Sequence, residues 1–175
     1  MAQKIILFIG DSLIEFYDWA GRFPEARVHN LGVAGESVEE LLHRIPRITG
    51  GIPRAGMIFL MTGINNVAME SFDFLSSYCK IIEGLSGAYP DARIFITSLL
   101  PVLLGWVPPE VIVRLNKYLE GVAENTGAEF VDIYSLFTDG KGSPKEEYLL
   151  SDGVHLSEKG YAVWAQAVER NMNAG

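Results

Sequence analysis

Four short polar segments of the 175-residue chain carry the residue types that acyl transfer requires: Gly10-Asp11-Ser12-Leu13, Asn30 to Ser37, Thr62-Gly63-Ile64-Asn65-Asn66, and Ser151-Asp152-Gly153-Val154-His155-Leu156. Such chemistry needs a hydroxyl, a base to take its proton, and donors for the oxyanion. Ser12 can supply the hydroxyl. His155 can supply the base, because a neutral imidazole is available near pH 7. Asp152, three residues earlier, can fold back onto the other ring nitrogen, fixing the tautomer and stabilising the imidazolium. The backbone N–H groups of Ser12 and Gly35 and the side-chain amide of Asn65 can serve as oxyanion donors, and Gly35 has no Cβ to keep substrate from its backbone. Plainer roles exist for each. Ser12 could cap a helix, Asp152 could form an Asx-turn, and Gly35 and Asn65 could serve turn geometry alone.

These segments need a scaffold that brings them to one place. Lys4 to Ile9, Arg27 to Leu31, Met57 to Met61, Arg93 to Thr97 and Glu129 to Ile133 read as five strands. Their apolarity is continuous rather than alternating, which is the habit of parallel strands buried on both faces. Between them, Val38, Leu41, Leu42 and Ile45 fall at helical spacing, as do Phe72, Leu75, Cys79, Ile82 and Leu85, and Ile112, Leu115, Leu119 and Val122. Ala162, Val163, Ala165 and Val168 mark a last helix, with Ser157 as its N-cap; Gly127 reads as the stop of the helix before it. A helix is also expected straight after Ser12, which would place the hydroxyl in the positive end of a helix dipole. Alternating strands and helices make one doubly wound α/β domain over residues 1–175. In such sheets ligands bind beyond the carboxyl ends of the strands, and each polar segment follows a strand or precedes the last helix.

In this order and at these positions the four segments resemble the GDSL, or SGNH, hydrolase superfamily. Gly10-Asp11-Ser12-Leu13 matches the first block, which puts the family's nucleophile on Ser12. Gly35 matches the second block and Gly63-Ile64-Asn65 the third, as backbone and side-chain oxyanion donors. Asp152-Gly153-Val154-His155 matches the last, implying the acid and base of a triad. The resemblance implies a three-layer α/β/α fold with a five-stranded parallel sheet in the flavodoxin-like order 2-1-3-4-5. It also implies a serine hydrolase that cleaves carboxylic esters through an acyl-enzyme on Ser12. Short- to medium-chain acyl or aryl esters come first, with lysophospholipid and thioester substrates in range; the alternatives are a carbohydrate acetylesterase and a catalytically silent binding module on the same scaffold. The third block commonly ends in Asp where this chain has Asn66. If that Asp fixes the loop by accepting hydrogen bonds, Asn66 replaces it with only a neutral acceptor and two donors, which would leave the Asn65 loop looser.

Composition excludes other classes. Lys and Arg total 14 against 22 Asp and Glu, a net charge of −8 that disfavours nucleic acid and anionic membranes as partners. Cys79 is the single cysteine, and His29, His43 and His155 are scattered, so no metal site is expected. No G-x-G-x-x-G or G-x-x-x-x-G-K-[ST] occurs, which speaks against a nucleotide cofactor. The start, Met1-Ala2-Gln3-Lys4, leads into an apolar run too short for a signal-peptide core, and no stretch approaches the ~20 apolar residues of a membrane span. The chain is therefore expected to be cytoplasmic, without stable membrane insertion, acting on a small-molecule ester. Leu99 to Val107 is unusually apolar for a loop and reads either as a substrate-facing wall or as a flap on the core or homodimer contact.

Overall fold

The computed structural model describes residues 3–174; Met1, Ala2 and Gly175 lie outside the described residues. Five strands, β1 (Ile5–Gly10), β2 (Arg27–Gly32), β3 (Met57–Met61), β4 (Arg93–Thr97) and β5 (Glu129–Val131), form one sheet in the order β2-β1-β3-β4-β5. All neighbouring pairs are parallel. Among the described residues seven α-helices surround it: α1 (Ser12–Glu15), α2 (Trp19–Arg22), α3 (Val38–Gly51), α4 (Ile64–Ala68), α5 (Leu75–Ala88), α6 (Pro109–Thr126) and α7 (Glu158–Asn173). The five strands and the 2-1-3-4-5 order agree with the expectation.

Continuous apolarity in β1 and β3 has its expected cause, since every residue of β3 and all but the first of β1 are buried. Phe8, Phe59 and Phe95 are register partners on β1, β3 and β4. Their rings stack, with centroids 5.3 Å apart for Phe8–Phe59 and 4.5 Å for Phe59–Phe95. Trp19 extends the row, 4.0 Å from Phe8. This aromatic bar lies two residues before the strand ends that carry the polar segments, so the floor beneath those segments is closely packed.

Two elements depart from expectation. The helix after β1 is two separate turns, α1 and α2, of four residues each. Asp11, not Ser12, is the N-cap of α1, its carboxylate accepting from the Leu13 amide at 3.0 Å. A single turn has almost no macrodipole, so the dipole argument for Ser12 fails; what remains is the local amide of Ser12 itself. Second, β5 ends at Val131 rather than Ile133. The Ile133 and Tyr134 amides both donate to the Ser98 hydroxyl, at 3.0 and 2.9 Å, and so leave the ladder. The helix termini read from sequence hold: Ser157 caps α7 by accepting from the Gly160 amide, and Gly127 ends α6 with a φ of 75°.

Candidate active site

The chain reverses its winding direction between β1 and β3, and the carboxyl ends of these strands and of β2 open a crevice there. Ser12 stands at the β1 exit, as the first residue of α1, with only 5% of its surface exposed. Gly10, two residues before it, lies so close to β3 that a Cβ would sit 1.9 Å from the Met61 carbonyl oxygen, so the turn into Ser12 tolerates no side chain there. Tyr161 of α7 fixes the same turn from the other side by donating its hydroxyl to the Leu13 carbonyl at 3.1 Å.

His155 arrives from the loop before α7. Its Nε2 lies 3.0 Å from the Ser12 Oγ, and its Nδ1 lies 2.7 Å from Asp152 Oδ2. The other carboxylate oxygen of Asp152 accepts from the Val154 and His155 amides, both at 2.9 Å. Asp152 is thus both Asx-turn former and partner of the imidazole. Partial burial opposes its ionisation, but the two amides and the His155 ring outweigh this and bring its carboxyl down to about 2. An ionised carboxylate on Nδ1 favours the tautomer with its proton there, leaving Nε2 able to accept from Ser12. The loop itself is pinned by backbone bonds from Leu150 N to the His155 carbonyl and from Leu103 N to the Gly153 carbonyl.

Opposite this relay runs the loop after β2. The Val33 amide donates to the Gly10 carbonyl, that of Ala34 to the Glu15 carboxylate, and that of Glu36 to the Val33 carbonyl. Gly35, with a φ of 78° and open space where a Cβ would be, has the one amide of the four with no acceptor among the described residues. The Ser12 amide is likewise unspent. Asn65, in the first turn of α4, donates one Nδ2 hydrogen to the Glu36 carbonyl at 3.0 Å. That contact fixes the amide beside Gly35 and leaves its second hydrogen available. The structure therefore gathers all five sequence-predicted residues at one edge of the sheet: Ser12, His155 and Asp152 in a relay, Gly35 and Asn65 across from it.

The expectation of a loose Asn65 loop is corrected. Asn66 is buried, and both ends of its amide are used: Oδ1 accepts from the Val38 amide at 2.9 Å, and Nδ2 donates to Glu39 Oε2 at 2.8 Å. Two further residues escaped the sequence reading. Glu36 stands just before Ser37, the N-cap of α3. It is buried and holds Arg44 through two bonds of 2.6 Å, while Arg44 also donates to the Leu31 carbonyl at 3.0 Å. Asp11 is fully buried, and burial, against the Leu13 amide, lifts its carboxyl to about 7. Its place beside Ser12 was visible; its complete burial was not.

Apolar side chains ring the crevice. Phe16 is exposed, its ring centroid 5.3 Å from that of His155. Leu99 to Val107 is divided between core and surface. Leu99, Leu100, Pro101, Val102 and Val107 pack into the core, and Asn116 of α6 clasps both backbone groups of Leu99. Leu103 and Trp106 remain exposed, and Trp106 donates to the Ala68 carbonyl at 3.2 Å. Among the described residues no cluster of His, Cys, Asp or Glu could hold a metal ion, and no helix is long and apolar enough to cross a membrane.

The model of the GDSL-like lipase/acylhydrolase family matches residues 8–163, a stretch that contains every segment above. The chain belongs to that family. It is 27% identical over 173 residues to the bovine platelet-activating factor acetylhydrolase IB subunit alpha1, covering 93% of this chain and 72% of that one. A solved structure from Streptococcus pneumonia, named for platelet activating factor, superimposes with a TM-score of 0.87 at 28% identity, over 97% of this chain and 84% of the other. An acetylxylan esterase from Geobacillus stearothermophilus shares the fold, with a TM-score of 0.79 at 20% identity, over 95% and 93% of the two chains. As a GDSL-like acylhydrolase family member the chain is a hydrolase of the esterase type, and the remaining question is how its residues act and on what.

Proposed function

We propose that this protein is a serine esterase that carries its acyl group on Ser12. The observation that carries the reading is the unbroken line from Ser12 Oγ to His155 Nε2 at 3.0 Å and from His155 Nδ1 to Asp152 at 2.7 Å. As Ser12 Oγ attacks the ester carbonyl, its proton passes to Nε2, and the Asp152 carboxylate stabilises the imidazolium. The carbonyl oxygen, now an oxyanion, is met by the Ser12 amide, the Gly35 amide and the free hydrogen of the Asn65 side chain. His155 then returns the proton to the departing alcohol. Water, activated by the same nitrogen, releases the acid and restores Ser12.

The substrate reading rests on the rim. Phe16, beside His155, and Leu103, whose amide bonds the Gly153 carbonyl, stand exposed at the crevice, which supports esters with apolar acyl or aryl groups. Each buried methylene should add ~0.8 kcal/mol until the rim is covered. kcat/KM is therefore expected to rise from acetyl to butyryl esters, and the rise to shrink in Phe16→Ala. The acetyl group in the bovine relative's name supports a small acyl group instead, and with it the acetylated-carbohydrate alternative. A flat or falling series, with good turnover of acetylated sugars, would select that alternative.

The reading is tested by labelling with a fluorophosphonate ester. The adduct is expected on the peptide carrying Ser12 and absent from Ser12→Ala, which should fold and turn over at least ~10⁴-fold more slowly. An adduct on another serine overturns the assignment.

A further inference from the structure

Two adjoining cavities lie along the open side of the sheet, apart from the Ser12 crevice. β2 pairs with β1 alone and is an edge strand. Between the end of β2 and α3 is a cavity of about 420 Å³, with an apolar wall of Leu31, Val33, Ile48 and Ile52 and two cations, Arg44 and Arg47. These arginines are three residues apart on α3, so they share a face. The second cavity, of about 240 Å³, shares Gly51 and Ile52 with the first and adds Arg27, His29 and Arg54.

The charge of these walls is out of keeping with the rest of the chain. The net charge is −8, yet four of the eight arginines line the two cavities and no Asp or Glu does. Arg27, Arg47 and Arg54 enter no ion pair among the described residues. Arg44 gives its Nε and Nη2 to Glu36 and the Leu31 carbonyl, which leaves Nη1 without a partner among the described residues. Partial burial, and after it the charge of Arg27, holds the His29 imidazole below its ordinary value. Concave walls of one sign concentrate the counter-ion, and a guanidinium fork matches carboxylate and phosphate oxygens. The wall opposite the forks is apolar, and the larger cavity has the volume of a small-ligand site.

We propose that the cleft between β2 and α3 is a second binding site, separate from Ser12, for a small organic anion. Its carboxylate or phosphate head meets Arg44 and Arg47, its apolar body lies on Leu31, Val33, Ile48 and Ile52, and a second anionic group, where present, reaches Arg27 and Arg54. Arginines placed only to keep another strand from the β2 edge would need no apolar wall and would bind no small anion.

Calorimetric titration tests this, with hexyl phosphate and hexanoate as probes and inorganic phosphate and hexanol as controls. One saturable site is expected for the two amphiphilic anions, with inorganic phosphate weaker and hexanol without binding. Arg47→Glu, at an exposed position, should weaken hexyl phosphate at least about tenfold while the thermal midpoint stays at the wild-type value. Arg47→Gln should fall between the two. Absence of saturable binding overturns the proposal, as does equal binding in Arg47→Glu, which would place the anion at the Ser12 crevice or elsewhere. Inorganic phosphate binding as tightly as hexyl phosphate would overturn the apolar half of the site.

Discussion

His155 and Asp152 stand at a water-accessible surface above the buried Ser12, whereas the loop from Val33 to Ser37 and the Asn65–Asn66 turn are tied from behind by buried polar groups. On the first side the His155 and Asp152 side chains are 30% and 50% exposed. On the second, the Glu36 side chain is 6% exposed and Asn66 is 1% exposed. The difference has a physical reason. Hydrogen bonds of the relay must change partners during a reaction, and partly hydrated groups do so at low cost. Donors for an oxyanion must instead be fixed in advance, and buried bonds that cannot be exchanged with water fix them. Substitutions in the relay should therefore remove rate and spare the fold, while substitutions behind the donors should cost both.

Asp152→Asn is the sharpest break on the relay side. The Val154 and His155 amides will keep the remaining carbonyl oxygen, so the new NH₂ must face His155 Nδ1. That forces the ring proton onto Nε2, where it opposes the Ser12 hydroxyl. Turnover is expected to fall by about 10⁴-fold, as for a wrong tautomer, with thermal stability little changed. Steady-state kinetics beside a thermal melt checks both halves of the expectation; near-normal turnover would reduce the relay to Ser12 and His155.

Asn65→Ala comes next and marks the border between the two sides. Loss of an oxyanion donor should lower kcat by about 10²–10³-fold, or ~2.7–4 kcal/mol. Because Asn65 also bonds the Glu36 carbonyl, a stability loss of ~1 kcal/mol should accompany it. A stability loss as large as the kinetic one would show that the loop, not the transition state, depends on Asn65.

Asn66→Asp tests the buried side directly. It restores the residue common in the third block, yet in this chain it would set a second carboxylate against Glu39. Destabilisation of about 1–3 kcal/mol is expected by chemical denaturation, largely recovered in Asn66→Asp/Glu39→Gln. A gain in stability from Asn66→Asp alone would restore the view that Asn66 loosens the loop.

Asp11 is the exception that sharpens the comparison, a buried acid on the relay side. Its folded value of about 7 lies above the ordinary 3.8, so the native state keeps a proton that the unfolded chain has lost. Stability should fall as pH rises from about 4 to about 7 and level off above that. Between pH 6 and 7 the loss is about 1 kcal/mol. Asp11→Asn, which cannot titrate, should flatten this part of the profile in thermal melts; an unchanged slope would assign it to other groups.

Much of this was legible in the sequence, for identifiable reasons. Strands buried on both faces announce themselves by unbroken apolarity, and β3 and β4 begin and end where that signal does. Blocks carried by backbone turns, such as Gly10-Asp11-Ser12 and Asp152 to His155, are local and survive as patterns. What escaped was set by contacts between distant segments. Glu36 finds Arg44 eight residues on, Asn66 finds Glu39 from another helix, and Ala34 finds the Glu15 carboxylate, at separations where no periodicity points. The split of the first helix into α1 and α2 was hidden because Asp11 and Asp18 each cap a single turn.

The central claim, that Ser12 becomes acylated through His155, is tested most directly by trapping the intermediate. Wild-type protein mixed with p-nitrophenyl butyrate, quenched in acid within the first turnovers and digested, should carry one butyryl group on the peptide containing Ser12. The same peptide from His155→Ala should remain unmodified. A butyryl group elsewhere, or equal acylation of Ser12 without His155, would contradict the account.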